Sequence, residues 1–267
     1  MAAPSKLYKY EAFSVQSLLS LKSQVLYFGS PLHFNDTYDC ALKANIRQPS
    51  DQEVDSIRHF YLKQPDLPEA AKSNFINASI ESLRASFMRA GAVALQDAAD
   101  NFRRTKGVTC FSEYNDNLLM WSHYGGKYKG FCLEFSTEFE PFEKIRQVNY
   151  ENDLPAIGLA PLLIEHNFDF IQTLFCTKSE SWAYEREWRA IHVEAGKNFG
   201  YPAECLTGVY FGPDIDQQSL EIVCLILGGQ NESVKFWCGS KSTTEFKVQF
   251  APFTYTSFLE AKGKGLR

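Results

Sequence analysis

Apolar and polar residues along this chain follow two different periods, and each period predicts a type of element. Residues 7–10 alternate with a period of two, which predicts a strand with its two tyrosines on one face and Leu7 and Lys9 on the other. A helical period starts after Ser14, a residue type favoured as a helix N-cap. The apolar run at residues 25–28 predicts a second strand, which the turn at Gly29 closes.

The pattern changes between residues 48 and 105. This segment is charged, contains Pro49, Pro65 and Pro68, and has apolar residues at helical spacing in several stretches. It predicts two or three amphipathic helices inserted between the first strands and a central sheet. We therefore expect a single domain over residues 1–267 with a helical insertion at about 48–105.

A strand–helix–strand pattern follows the insertion. Residues 107–111 predict a strand, residues 117–124 a short helix capped by Asp116 or Asn115, and residues 131–135 a second strand. The glycine pair at 125–126 is expected to end the helix. Further on, the pattern predicts a strand near 148–150, a helix over 159–176 and a strand over 182–192.

The last third of the chain predicts strands at residues 206–212, 234–238 and 246–256 and the start of a helix at 217. Strands come in clusters along the whole chain and do not alternate regularly with helices. The predicted fold class is therefore α+β, a mixed, largely antiparallel sheet with helices at its margins.

The amino-acid composition excludes some classes of protein and predicts the cellular location. The 267 residues include 22 Phe, 13 Tyr and 4 Trp, which suits a protein whose sheets and pockets are lined by rings, and the formal charge of −5 excludes a basic DNA-coating protein. The seven cysteines form no CxxC pair and lie mostly in apolar runs, so we expect buried free thiols and a reducing, cytoplasmic location. No stretch reaches the roughly 18 apolar residues needed to cross a bilayer, and no partner membrane is expected.

Several common catalytic signatures are absent from the sequence. It contains no GxGxxG after a strand, no GxxxxGK[ST], no HExxH and no GxSxG. The five histidines are too dispersed to suggest a metal site, and no metal is expected. A Rossmann enzyme, a P-loop NTPase and a zincin are therefore improbable classes.

The motif WSHY places His123 on the predicted short helix beside Trp121 and Tyr124. A histidine in this position can pack in the core or cap the helix. Alternatively it points into a pocket walled by tyrosine rings, where an imidazole with a pKa near 6.5 serves as donor or base. Asn35 and Asp36 offer a similar choice between capping a turn and facing a ligand.

The motif TKSESWAYEREWRAI holds the strongest set of charged residues. On an extended strand, Glu185, Glu187 and Arg189 share one face, and the two carboxylates lie about 7 Å apart. They either form a cross-strand ion-pair network with Lys178 or supply a carboxylate that stabilises an oxocarbenium-like centre, with Trp182 or Trp188 as a stacking surface. The candidate ligand-binding residues around this set are Trp121, His123, Tyr124, Lys178, Trp182 and Arg189.

Five motifs carry a family resemblance: LYKY, LYFGSPLHFNDTYDC, GVTCFSEYNDNLLMWSHYGGKYKGFCLEFS, TKSESWAYEREWR and VYFG. In order and style they resemble DUF2971, a bacterial family of uncharacterised function. The resemblance spans most of the chain apart from the helical insertion. It implies a family but no activity.

A second resemblance implies chemistry. The opening strand with LYKY, the amphipathic helix and the second strand ending in serine are similar to the start of ADP-ribosyltransferase domains. That resemblance implies that Glu187 is the catalytic glutamate and that Glu185 completes a Glu-x-Glu pair. It also implies that Lys9 or Tyr10 takes the first-strand role, and that Tyr27 and Ser30 lie on the nicotinamide side of bound NAD.

The resulting hypothesis is an NAD-using ADP-ribosyltransferase-like enzyme or NAD glycohydrolase, with a role in bacterial conflict such as a toxin or phage defence. NAD would be substrate, and the acceptor a protein, a nucleic acid or water. Two alternatives remain: a nucleic-acid-processing or nucleic-acid-binding protein that uses basic residues such as Arg103, Lys129 and Arg186 against phosphates, and a non-catalytic partner-binding module.

Overall fold

The computed structural model describes residues 3–36, 38–40, 45–165 and 173–265. It divides into two compact units. The first unit comprises residues 1–29, 107–148 and 181–267, and the second comprises residues 30–106 and 149–180.

The first unit is built on an eight-stranded sheet. In chain order its strands are β1 (Lys6–Glu11), β4 (Gly107–Ser112), β5 (Phe131–Ser136), β6 (Arg146–Gln147), β10 (Glu187–His192), β12 (Leu206–Phe211), β13 (Lys235–Lys241) and β14 (Val248–Phe253). In the sheet they lie in the order β14-β13-β12-β5-β1-β4-β10-β6. Neighbouring strands are antiparallel, except that β12 and β13 are parallel. The predicted α+β class with a mixed, largely antiparallel sheet is confirmed.

One face of this sheet carries the main hydrophobic core. Leu7, Phe135, Val209 and Phe211 are at most 2% exposed and pack with apolar residues of helices α1 (Val15–Lys22) and α7 (Gln217–Gly228). Helix α7 is the crossover that joins the parallel pair β12 and β13, as parallel strands require. Burial of this apolar surface is the main force that holds the helices on the sheet.

The first helix begins as its sequence predicts. The Ser14 side chain accepts a hydrogen bond from the Ser17 amide, and Ser17 returns the bond to the Ser14 amide, which makes a capping box. After α1, β2 (Val25–Phe28) pairs with β11 (Lys197–Gly200) in a separate two-stranded sheet. Helix α8 (Phe258–Gly263) ends the described part of this unit.

The second unit is mainly helical. Helices α2 (Asp51–Leu62), α3 (Glu69–Asn77) and α4 (Ile80–Thr105) occupy the segment for which the sequence predicts two or three helices. Helix α4 buries a stripe at i, i+4 spacing that packs on α6 (Leu159–Leu163), where an added Cβ on Gly91 would overlap Leu159. Two short parallel pairs, β3 (Asn45–Ile46) with β8 (Ala156–Ile157) and β7 (Asn149–Glu151) with β9 (Thr177–Ser179), complete it.

Three local predictions need correction or restriction. Helix α5 (Leu118–His123) is capped by Asn117, whose side-chain oxygen accepts from the Leu119 and Met120 amides, and not by Asp116 or Asn115. The strand predicted over 182–192 begins only at Glu187, because residues 180–185 form a 3-10 turn. Of the helix predicted over 159–176, only residues 159–163 form α6, and residues 164–165 and 175–176 are not helical. Residues 166–172, which include His166, lie outside the described residues.

Candidate functional site

The face of the large sheet opposite to the main core carries a line of polar side chains across four neighbouring strands. Glu134 on β5 is paired with Tyr8 on β1, Tyr8 with Ser112 on β4, and Ser112 with Glu187 on β10. Directly paired residues project to the same face of a sheet. Three strand spacings separate the two glutamates by about 14 Å, so one small chemical group cannot touch both.

Glu134 is the centre of one polar cluster on this face. Its carboxylate accepts hydrogen bonds from Lys6 Nζ (2.7 Å), Tyr8 Oη (3.2 Å), Thr207 Oγ1 (2.7 Å) and Tyr210 Oη (2.8 Å). Only 4% of the residue is exposed. Burial by itself raises the pKa of this carboxyl, but the bonds from Lys6, Thr207 and Tyr210 outweigh it and hold the pKa below its usual value. The carboxylate is therefore ionised and fixed at neutral pH.

A second carboxylate on this face is held by an arginine. Arg189 donates from Nε to one oxygen of Glu187 (2.7 Å) and from Nη2 to the other (2.9 Å). Glu187 is 4% exposed and Arg189 is completely buried. This two-bond arrangement matches the planar guanidinium to the carboxylate and fixes both groups. The predicted shared face of Glu187 and Arg189 is thus present on β10.

Glu185 is buried near this pair but does not belong to the strand. Arg186 has a φ of +46°, a conformation that a non-glycine residue rarely adopts, and it turns the chain between the 3-10 segment and β10. The turn is fixed by a bond from Ser112 Oγ to the Glu185 carbonyl (2.7 Å). The Glu185 carboxylate accepts from the Tyr124 hydroxyl (2.7 Å). The prediction that Glu185 shares the strand's two-residue period is wrong, yet the turn still buries its carboxylate.

An aromatic surface lies beside Glu185, and we call His123, Tyr124, Trp182 and Tyr184 the ring patch. The centroid of the His123 ring lies 6.2 Å from Tyr124 and 6.4 Å from both Trp182 and Tyr184. Trp182 and Tyr184 are 5.9 Å apart. His123 is exposed and the other three rings are half-buried. Tyr124 joins the patch to Glu185, so flat surfaces and a buried carboxyl group are neighbours here.

Three further rings predicted to contact a ligand are in the core. Trp121 is fully buried, packs edge-on against Tyr10 at 5.2 Å, and donates from its indole to the Asn115 carbonyl (2.7 Å). Tyr10 is 8% exposed and donates to the Tyr114 carbonyl (2.9 Å). Trp188 is also buried, and its indole donates to Glu113 (2.9 Å), so it offers no stacking surface. These rings position the loop before α5.

The remaining predicted site residues are divided by the fold. Lys9 and Tyr27 line a cavity on the other face of the sheet, together with Leu133, and therefore do not converge with Glu187. Ser30 and Lys178 belong to the second unit. There the Ser30 hydroxyl donates to the Arg103 carbonyl (3.0 Å). Lys178 forms a buried ion pair with Asp39 (3.3 Å).

The turn residue Asp36 has the capping role that the sequence left open. Its carboxylate accepts from the Tyr38 amide at 2.8 Å. Thr37, between them, lies outside the described residues. This side chain is therefore engaged in local structure.

Sequence reasoning missed the Glu134 cluster. The available signal was a carboxylate in the otherwise apolar strand motif FCLEFS, a place where a charge needs partners. Its partners Lys6, Tyr8, Thr207 and Tyr210 come from strands that are distant in sequence, so no spacing rule finds them. Within the described residues no three His, Cys, Asp or Glu side chains are grouped as metal ligands, and no helix is long and apolar enough to cross a bilayer.

The fold and the site together define an α+β protein with buried carboxylates on one sheet face. Residues 120–190 match the family model DUF2971, a protein family of unknown function. The resemblance to DUF2971 is thereby confirmed for this segment, which contains Glu134, Glu185, Glu187, Arg189 and the ring patch. Neither a curated protein nor a solved structure matches the chain.

Proposed function

We propose that the chain is an enzyme that cleaves the nicotinamide–ribose bond of NAD and passes the ADP-ribosyl group to water or to a macromolecular acceptor. The observation that carries this proposal is the buried Glu185 carboxyl group, which Tyr124 joins to the ring patch, two residues before the buried Glu187–Arg189 pair. Glycosyl transfer through a cationic transition state needs a fixed carboxylate and a surface for the leaving ring, and it needs neither a metal nor an activated serine.

The chemical step is balanced without a further reagent. The bond between C1′ of the ribose and the pyridinium nitrogen breaks, and its electron pair leaves with nicotinamide, which becomes neutral. The positive charge that develops on the ribose is stabilised by Glu187, which Arg189 holds in place. The acceptor oxygen or nitrogen then bonds to C1′ and loses its proton to Glu185. A carboxylate that is fixed in advance favours this transition state over the ground state.

The ring patch supplies binding. Stacking of a flat heterocycle on an aromatic side chain contributes about 1–3 kcal/mol per base. Trp182 and Tyr184 are half-buried and therefore preorganised, whereas His123 is exposed at the edge. We assign the nicotinamide or adenine ring to this surface. The roles that the ADP-ribosyltransferase resemblance implied for Lys9 and Tyr27 are not part of the proposal, because those residues line the other sheet face.

The direct test measures the release of nicotinamide from NAD by chromatography. The reaction is run in buffer and in a cell extract that supplies protein and nucleic-acid acceptors. We expect Glu187→Gln and Glu185→Gln each to lower kcat by about 10²–10³-fold, as for removal of a transition-state charge interaction. Trp182→Ala should mainly raise KM. Far-UV circular dichroism and the melting temperature of each variant establish that it is folded.

The matched control is Glu221→Gln on α7, a glutamate that accepts from Tyr255 (2.8 Å) and belongs to a helix on the opposite sheet face. Its kcat should be unchanged. If the folded wild-type protein releases no nicotinamide in either medium and shows no heat of NAD binding, the proposal is rejected.

A second candidate function, a non-catalytic partner-binding module, is favoured by one observation. Both oxygens of Glu187 are already bound by Arg189 in a buried pair, an arrangement that also serves purely structural purposes. Under this function Glu187→Gln lowers the free energy of unfolding by about 3–5 kcal/mol, as expected when one member of a buried pair is lost, and NAD changes neither stability nor chemistry.

A further inference from the structure

A cavity of about 150 Å³ lies between helix α1, β2 and the core face of the large sheet in the first unit. Its polar lining consists chiefly of Lys9, Glu11, Gln16, Ser20, Tyr27 and Tyr201. An engineered apolar cavity of this size holds a molecule such as benzene. The space therefore suits one small ligand, and Tyr27, which is 44% exposed, lies at its solvent side.

Tyr201 gives the strongest indication that the cavity receives a polar molecule. The residue is only 5% exposed, yet its hydroxyl has no hydrogen-bond partner among the described residues. Burial, with smaller contributions from Cys205 and Glu11, raises the pKa of this hydroxyl, so it stays protonated and available as a donor. The hydroxyl oxygen keeps some accessible surface, so a ligand in the cavity can accept a hydrogen bond from it.

The other polar groups around the cavity are also available. Among the described residues, the side chains of Gln16, Ser20 and Tyr27 have no hydrogen-bond partner. Lys9 and Glu11, two residues apart on β1, form an ion pair of 3.4 Å with side chains 19% and 26% exposed. The pair supplies an ammonium donor and a carboxylate acceptor, and its net charge is zero.

This combination selects for a neutral ligand with many hydroxyl groups. Each hydroxyl of a polyol both donates and accepts, so it can bind Glu11 and Lys9 at the same time and satisfy the tyrosine, serine and glutamine groups. Leu21, Leu26 and Leu133 provide an apolar wall for the C–H face of such a molecule. A charged ligand would leave an unbalanced charge beside the Lys9–Glu11 pair.

We propose that this cavity is a binding site for a polyol or monosaccharide of four to six carbons. It is separate from the proposed NAD site, because Lys9, Glu11 and Leu133 project to the sheet face opposite to Glu134 and Glu187. A nucleotide bound at the ring patch does not reach it. The site's occupation can therefore be measured whether or not the chain cleaves NAD.

The test is saturation-transfer NMR and calorimetry on the full chain with erythritol, ribose and myo-inositol as probes, and with glycine and serine as zwitterionic comparisons. At least one polyol should bind. Tyr201→Phe, which removes only the hydroxyl, should weaken that binding about fivefold to tenfold, and Glu11→Gln should weaken it at least as much. The control Tyr61→Phe removes a hydroxyl that donates to the Leu163 carbonyl in the second unit and should leave binding unchanged.

The outcomes are decisive because Tyr201→Phe keeps the ring and the packing, and its folding is followed by its melting temperature. Failure of all three polyols to bind the folded wild-type protein overturns the proposal. Binding that is unchanged in both Tyr201→Phe and Glu11→Gln places the ligand elsewhere and also overturns it. If serine or glycine binds and no polyol binds, the ligand of the cavity is a zwitterion and the polyol assignment is rejected.

Discussion

Glu134 shows at the level of single residues how a charge is kept inside this protein. Four side chains donate to its carboxylate, and two of them, Tyr8 and Tyr210, have their own pKa raised, first by burial and then through Glu134. Tyr210 also stacks on Trp237 with ring centroids 5.7 Å apart. The carboxylate thus connects β1, β5 and β12, and its removal should weaken the contacts among all three strands.

We predict that Glu134→Gln lowers the free energy of unfolding by about 1–3 kcal/mol at pH 7, because a neutral amide accepts more weakly and places an NH2 group among donors. Since the folded-state pKa of Glu134 lies below its usual value, this stabilisation is present above the unfolded pKa and disappears as the pH falls through the folded pKa. Urea titrations at pH 7 and at about pH 3.5 measure the difference between wild type and variant.

The control for this pH dependence is Glu245→Gln. That glutamate is an exposed residue paired with Lys247 (2.6 Å), and surface pairs contribute little to stability. Its difference from wild type should be small at both pH values. A stability loss in Glu134→Gln that does not shrink in acid would show that the charge of the carboxylate is not what stabilises the strands.

At the level of elements, the loop between α5 and β5 depends on close backbone contacts. Three successive residues, Gly126, Lys127 and Tyr128, have positive φ angles of 59°, 55° and 68°. The Gly130 amide then donates to the Gly125 carbonyl at 2.9 Å. A Cβ on Gly130 would overlap the Glu11 carbonyl oxygen, which is backbone and cannot move aside. This turn fixes the helix that carries His123 against the sheet.

We predict that Gly130→Ala destabilises the protein by at least about 2 kcal/mol, since the added methyl group must displace the end of β1. Chemical denaturation measures the change. The matched control is Gly228→Ala at the end of α7, where an added Cβ meets no atom within 4 Å and alanine is the better helix former. That variant should be neutral or slightly stabilising, and equal losses in the two variants would contradict the steric explanation.

At the level of the whole molecule, the thiols bear on the stability of the fold. None of the seven cysteines, which all lie within the described residues, forms a disulfide, and Cys40, Cys132, Cys176, Cys205 and Cys224 are buried. Burial raises the pKa of both Cys205 and Cys224 to about 12, with smaller contributions from Cys238 and Glu221 at Cys224. The thiolate form is therefore scarce in the folded protein, and stability does not depend on a disulfide.

We predict that a thiol reagent such as Ellman's modifies these buried groups at least about 100-fold more slowly in the native protein than in guanidinium chloride at the same pH. The melting temperature should be the same with and without reductant. Cys238→Ser removes a half-exposed thiol and should reduce the early phase of the reaction. Prompt modification of all seven groups, or a dependence of melting on reductant, would contradict this picture.

The local elements follow closely from sequence. The Ser14 cap, the strands at residues 25–28 and 131–136, and the helices between residues 51 and 105 are found where the pattern of apolar residues and caps predicts them. The predicted start of the 182–192 strand was wrong because it depends on Arg186, which adopts a positive φ. Tertiary contacts impose this conformation, and sequence periodicity does not encode it. Two hydrogen bonds hold that turn: the Ser112 hydroxyl donates to the Glu185 carbonyl, and the Glu113 amide donates to the Arg186 carbonyl.

Sequence alone determined the fold class, the DUF2971 motifs and the presence of carboxylates and rings near residues 120–190, because these depend on nearest-neighbour periodicity and residue type. Only the tertiary structure decided which of these carboxylates and rings are in contact. It placed Glu134 beside Lys6 and Tyr210, joined Glu185 to Tyr124, and assigned Lys9 and Tyr27 to the opposite sheet face. Strand order and register set those contacts, and both arise from burial across distant segments.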